Sequence, residues 1–159
     1  MPRTLNAIAA SACLLLAACG GGSNIERTSP SDARSTDPIL KSVIATFKAG
    51  CIDSAPQFEE SRMRAGFAEN QPRLGSLMLL VATGKPGTSC FVNVNNYGTQ
   101  RAKPTYGDVN ALARALQART GGTLRLKTDE TSAEVQVGRK KYTVFAIVNR
   151  SGQLQLSVN

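Results

Sequence analysis

The beginning of the chain limits which residues can take part in the fold. Arg3 supplies a positive charge, a mainly apolar run covers residues 7–15, and the small residues Ala17 and Ala18 come shortly after it. A charged start, an apolar stretch of about ten residues and a small-residue cleavage site are typical of a secretory signal that is too short to span a bilayer. We therefore expect residues 1–18 to be removed as a signal peptide, so that the fold is built from the rest of the 159 residues.

The residues at the cleavage site form a more specific pattern. Leu16, Ala17, Ala18 and Cys19 resemble the lipobox of bacterial lipoprotein precursors. The resemblance implies that Cys19 receives a diacylglyceryl group, that the chain is cut before it, and that its new amine is acylated. Two or three acyl chains would make membrane attachment effectively permanent. The alternative is an ordinary secretory signal in which a cysteine follows the cut by chance.

The residue after this cysteine bears on localisation. Lipoproteins retained in the inner membrane commonly carry aspartate there, whereas this chain has Gly20. The resemblance therefore implies an outer-membrane lipoprotein that faces the periplasm. Residues 19–36 hold the lipidated Cys19 followed by a stretch that is rich in Gly and Ser and lacks apolar periodicity. We expect this stretch to be a flexible linker and residues 37–159 to form a single domain.

The cysteine content predicts one disulfide. Of the four cysteines, Cys13 lies in the signal and Cys19 is the predicted anchor, which leaves Cys51 and Cys90 as a pair. In an oxidising compartment such a pair persists as a bridge. Closing a loop of roughly 40 residues would stabilise the fold by about 4 kcal/mol on the chain-entropy estimate. The alternative, a reactive thiol pair, is disfavoured because the two residues are distant in sequence and no CxxC motif is present.

Apolar periodicity predicts three helices. The first covers about 38–50, with Asp37 as N-cap and Pro38 as the first helical residue. The second is predicted to begin at a capping box at Ser54 and to close at Gly66. The third begins at Thr105, also with a capping box, and ends at the glycine pair 121–122.

The remaining apolar segments predict strands. Two continuous apolar runs, 76–82 and 142–148, indicate strands covered on both faces, whereas the run from Cys90 alternates and indicates one buried face. Alternating patterns also fall on residues 124–127, 133–137 and 154–158. The element order is α-α-β-β-α-β-β-β-β. Short connections within the strand groups imply antiparallel hairpins, so we predict an α+β fold with helices packed on an antiparallel sheet and one disulfide.

Part of the domain carries a second resemblance, to a group of small exported bacterial domains with two cysteines and no assigned activity. The residues that carry it are Phe47, Cys51, Pro56, Phe58, Gly66, Phe67 and Cys90. They are of the kind that a disulfide-stapled fold needs for its structure. The resemblance therefore supports the fold and implies no catalytic residue.

The chain contains no histidine. Ser-His-Asp and Cys-His catalysis and His-based zinc sites are therefore excluded. The carboxylate pair Glu59 and Glu60 would diverge on a helix, and Asp129 with Glu130 falls at a predicted hairpin tip. We predict no catalytic residue, no metal and no cofactor. The alternative is a His-free envelope hydrolase that uses carboxylates brought together by the fold.

Positive charge dominates the chain, whose formal charge is +8, with one of these charges on Arg3. Five basic residues lie on or between neighbouring predicted strands: Arg125, Lys127, Arg139, Lys140 and Lys141. Together they predict a basic strip that binds an anionic envelope polymer. The alternative is that they protect an exposed sheet edge from pairing.

Another polar group, Asn93, Asn95, Asn96 and Tyr97, offers amide and phenol groups to sugar hydroxyls, or is simply a polar face with a turn.

The predicted export signal argues against nucleic acid as a partner. We expect a lipid-anchored binding or accessory module whose partner is an anionic envelope polymer or an envelope protein. The alternative, beside the hydrolase, is a structural subunit of an envelope complex.

Overall fold

The computed structural model describes residues 33–71, 78–82, 88–126 and 131–159. The predicted anchor Cys19, most of the linker, Lys127 and the pair 129–130 lie outside these ranges. The helices are α1 (Pro38–Phe47), a π-helical segment (Lys48–Ile52), α2 (Glu60–Glu69) and α3 (Tyr106–Thr120). No helix in the described ranges is long and apolar enough to cross a membrane.

The strands form one antiparallel sheet. They are β1 (Met78–Ala82), β2 (Cys90–Asn95), β3 (Thr123–Leu126), β4 (Ser132–Val137), β5 (Lys140–Val148) and β6 (Leu154–Val158). Their order across the sheet is β1-β2-β6-β5-β4-β3, and every neighbouring pair is antiparallel. The predicted α+β class and the predicted order of helices and strands are confirmed.

The start of α1 follows its sequence signal, but its end does not. The Asp37 carboxylate accepts a hydrogen bond from the Leu40 N–H at 2.7 Å, as expected of an N-cap. The α-helix ends at Phe47 and widens into the π-helical segment, in which the Asp53 N–H donates to the Lys48 carbonyl at 2.9 Å. This wider turn places Cys51 in the core, where it is fully buried.

The predicted limits of the second helix were wrong. The Ser54 hydroxyl donates back to the carbonyls of Gly50 and Cys51 at 2.8 and 2.9 Å, so it binds the end of the preceding π-helical segment, and no helix begins at this residue. A turn with a cis Ala55–Pro56 peptide follows, and α2 begins only at Glu60. Gly66 lies within α2 and does not end it. Its role is a different one: because it has no side chain, the helix can approach the backbone of Ala49 and Gly50 closely.

Local signals predicted α3 correctly. The Thr105 hydroxyl accepts from the Asp108 N–H at 3.2 Å, and the Asp108 carboxylate accepts from the Thr105 N–H at 2.9 Å, which completes a capping box. Gly121 ends the helix with φ of +68°, a conformation that favours glycine. A stripe of buried side chains, Val109, Leu112, Ala113 and Leu116, faces the core.

The core lies on one face of the sheet. Alternate residues of β2, β4, β5 and β6 join buried residues of the helices in one hydrophobic cluster. Cys51 and Cys90 form the predicted disulfide inside it, with Cα atoms 5.4 Å apart. The prediction that the apolar run 142–148 is covered on both faces was wrong, since Phe145 and Ile147 are partly exposed. The burial of β1, for which the same was predicted, lies outside the described residues.

Candidate functional site

The sheet has a second face that none of the described helices covers. Because side chains alternate along a strand, the residues between the core positions point away from the helices. We call this surface the open face. Its central members are partly exposed: Phe91, Asn93 and Asn95 of β2, Thr143, Phe145 and Ile147 of β5, and Gln155 and Ser157 of β6, with Gln153 just before β6.

Strand register brings two aromatic side chains to the middle of the open face. Ser157 pairs with Phe91 on one side and with Phe145 on the other. The two aromatic residues are therefore two strands apart, a backbone separation of about 10 Å. In the next layer, Gln155 lies between Asn93 and Ile147. A shallow cavity of about 270 Å³ covers this region, and both phenylalanines line it.

A row of side-chain amides borders the aromatic pair. The Gln153 amide nitrogen donates to the Asn95 side-chain oxygen at 2.6 Å, and the Gln155 amide nitrogen donates to the Gln153 side-chain oxygen at 2.8 Å. Asn149 donates to the same Gln153 oxygen at 3.2 Å. Each amide offers two donors and an acceptor oxygen with two lone pairs, so the row keeps hydrogen-bonding capacity for a ligand. The mutual bonds also restrain the side chains in advance of binding.

The predicted sugar-binding group is divided by the structure. Asn93 and Asn95 lie on the open face, whereas Asn96 is exposed in the turn after β2, with φ of +57°. Tyr97 is buried, and its hydroxyl donates to the Ala102 carbonyl at 2.7 Å. Burial, reinforced by the negative charge of Asp37 and opposed by Arg101, raises the pKa of Tyr97 to about 12. The Tyr97 phenol is therefore part of the fold and not of a ligand surface.

The described residues of the predicted basic strip lie on more than one surface. Arg125 lies opposite Glu134 in the strand register, and the Lys141 ammonium lies 3.3 Å from the Glu134 carboxylate, so Lys141 has a counter-charge on the open-face side. Lys140 precedes Lys141 on β5 and therefore belongs to the other face of the sheet, where its ammonium lies 4.6 Å from the centre of the Tyr142 ring. Arg139 is exposed in the turn between β4 and β5. Lys127 lies outside the described residues.

The described carboxylates mostly have structural partners. Asp37 and Asp108 cap helices, and Asp53 forms an ion pair with Lys48 at 2.8 Å. Glu59 and Glu60 pair with Arg62 and Arg64, respectively. Within the described ranges, no three His, Cys, Asp or Glu side chains are grouped in a way that would hold a metal ion.

Sequence patterns predicted the position of only one of the two aromatic members of the open face. The alternation from Cys90 places Phe91 on the less buried face of its strand, as the structure shows, but Phe145 was expected to be buried because its whole segment is apolar. The available signal was indirect: the three helices that the sequence predicts can cover one face of a sheet built from the six predicted strands, so no predicted helix is left for the other face.

Comparisons with protein-family models, with curated proteins and with solved structures give no significant match. The function must therefore be argued from the surfaces of the domain itself.

Proposed function

We propose that this protein is an outer-membrane lipoprotein, anchored through Cys19, whose domain is a non-enzymatic binding module in the periplasm. The open face is its ligand-binding surface. The observation that carries the proposal is that the described helices pack on one face of the sheet only, while the opposite face presents Phe91 and Phe145 to solvent. Exposed aromatic groups bordered by polar side chains are typical of surfaces that bind a partner.

The chemistry of the open face favours a ligand with apolar patches and many hydrogen-bonding groups. The aromatic rings offer flat apolar area, and the amides of Asn93 and Gln155 offer both donors and acceptors beside them. A pyranose ring has an apolar face and a polar rim, which suits this arrangement. Among anionic envelope polymers, the glycan of peptidoglycan therefore fits the open face better than a ligand recognised by charge alone, because Lys141 already pairs with the Glu134 carboxylate.

A second candidate function is that of a structural subunit in an envelope complex. It is favoured by Ile147, which with Phe145 extends the apolar part of the open face along β5. An envelope protein would then cover the surface that a glycan covers in the first proposal.

Photocrosslinking in cells distinguishes these functions. A photoreactive amino acid at Thr143, on the open face, is expected to capture the partner, whereas the same group at Ala118, exposed on α3, is expected to capture much less. Captured muramidase-sensitive material supports the glycan, and a discrete protein band supports the subunit. Equal capture at both positions, or none at Thr143, would show that the open face is not the binding surface.

A further inference from the structure

The helical side of the domain carries a groove of its own, which we call the helix groove. It runs between α1 and α3 as three neighbouring cavities of about 190, 280 and 330 Å³, all of which include Arg34 in their lining. None of the lining residues belongs to a strand. The helix groove is therefore separate from the open face and lies on the other side of the molecule's core.

The helix groove combines an apolar floor with a basic rim. Ile44 of α1 and Leu112 and Ala115 of α3 form the floor. Arg34, Lys41, Lys48 and Arg114 line its edges and are exposed. Lys48 begins the π-helical segment that continues α1, and it follows Lys41 by seven residues, which spaces the two by about 10 Å along the helix axis.

Few negative charges oppose this rim. The Asp108 carboxylate lines the groove, but it is buried and accepts hydrogen bonds from the N–H groups of Ser35 and Thr105. Asp53 pairs with Lys48 at one end of α1. Positive charge therefore exceeds negative charge around the groove, and the apolar floor lies between the cations.

The chain that leads to the predicted lipid anchor enters the fold at this groove. The Thr105 hydroxyl donates to the Ala33 carbonyl at 2.8 Å, and the Ser35 N–H donates to Asp108 at 3.2 Å. Ser35 is buried, so the fold begins before residue 37, inside the predicted linker. Roughly 14 residues separate Ala33 from Cys19, and a flexible linker of that length has a reach of about 20 Å.

We propose that the helix groove binds anionic phospholipid of the membrane that holds Cys19. Lipid phosphates contact the rim cations Arg34, Lys41 and Arg114, and the first methylenes of the acyl chains lie over the partly exposed Ile44 and Ala115. Charge complementarity and the entry point of the tether both favour this occupant. The helical layer then faces the bilayer and the open face points away from it. The proposal uses the anchor of the proposed function but is independent of the ligand of the open face.

Vesicle binding by the unlipidated mature chain tests the proposal. The chain from residue 19 with Cys19→Ser is sedimented with vesicles of phosphatidylcholine that contain phosphatidylglycerol, and with vesicles of phosphatidylcholine alone. We expect binding only to the anionic vesicles. The affinity of the double variant Arg34→Gln/Lys41→Gln for the anionic vesicles should fall about tenfold or more, because each basic residue near an anionic surface adds to the free energy of binding.

The matched control is Arg125→Gln/Arg139→Gln, which removes the same charge from exposed residues outside the helix groove. It should retain most of the binding. Equal loss in both double variants, greater loss in the control, or no binding to anionic vesicles would overturn the proposal.

A second pair of variants distinguishes a loss of lipid binding from a loss of folding. Ala45→Glu places a negative charge in the helix groove, and Ala118→Glu places the same charge elsewhere on a helix; both positions are exposed. Both variants should keep the parental melting temperature, but only Ala45→Glu should weaken vesicle binding. Capture by the open face in the crosslinking experiment should be independent of these results, so that either proposal can fail alone.

Discussion

Individual residues were predictable where their role depends on near neighbours in sequence. Asp37, Thr105 and Gly121 cap helices through bonds that span a few residues, and each was assigned correctly. Cys51 and Cys90 could be paired because the other two cysteines fall in the predicted signal and at the predicted anchor, and because both share the phase of buried apolar residues. Ser54 and Gly66 were misassigned, since their roles depend on the carbonyls of Gly50 and Ala49, which sequence periodicity does not show.

The first prediction concerns the disulfide. Replacing both cysteines, Cys51→Ala with Cys90→Ala, should lower the free energy of unfolding by about 2–5 kcal/mol, because the unfolded chain regains the freedom of a loop with a sequence separation of 39. Urea denaturation measures the loss, and the reduced wild-type chain serves as the control that should show a similar decrease. Alkylation that labels two thiols in the native, unreduced protein would contradict the bridge.

At the scale of elements, α2 shows how packing sets helix limits. Its sequence has a weak apolar side, and its position depends on contact with the π-helical segment before it. A Cβ atom at Gly66 would collide with the Ala49 carbonyl, and one at Gly50 would collide with the Phe67 ring. The two glycines therefore allow a close approach between elements, and the end of a helix was the wrong interpretation of Gly66.

The second prediction tests this close approach. Gly66→Ala should lower the free energy of unfolding by about 1–3 kcal/mol, although alanine favours a helix, because the obstructing atom belongs to the backbone and cannot rotate away. The exposed variant Ala68→Ser on the same helix should change it by no more than about 0.5 kcal/mol. Thermal or urea unfolding compares the two. A stabilising effect of Gly66→Ala would mean that α2 does not approach the π-helical segment closely.

For the whole molecule, the class and the order of elements were predictable, but the exposure of the sheet was not. An apolar segment such as 142–148 predicts a buried strand, but it does not show whether the fold has enough helices to cover both faces of that strand. The described helices cover one face, so Phe145 reaches solvent while Val144 and Ala146 lie in the core. The open face and the helix groove both arise from this one-sided arrangement.

The third prediction concerns the attachment of the whole molecule. Cys19→Ser should leave the protein unprocessed or soluble, because the acceptor of the lipid is lost. Detergent phase partition and the mass of the purified protein measure the change, and Cys13→Ser, within the predicted signal, is the control that should still be lipidated. A Cys19→Ser protein that partitions like the wild type and keeps the same mass would exclude the lipid anchor.

The position of β6 has a consequence for how the domain assembles. This strand follows the other five along the chain, yet it lies in the middle of the sheet, between β2 and β5. Before it is inserted, β1 with β2 and β5 with β4 and β3 are separate pieces, each with an unpaired inner edge. Since chains are synthesised amino-terminus first, these edges stay open until the last strand is available, which favours slow assembly and misassociation. A newly made chain with this topology therefore exposes both inner edges to wrong partners until β6 closes the sheet.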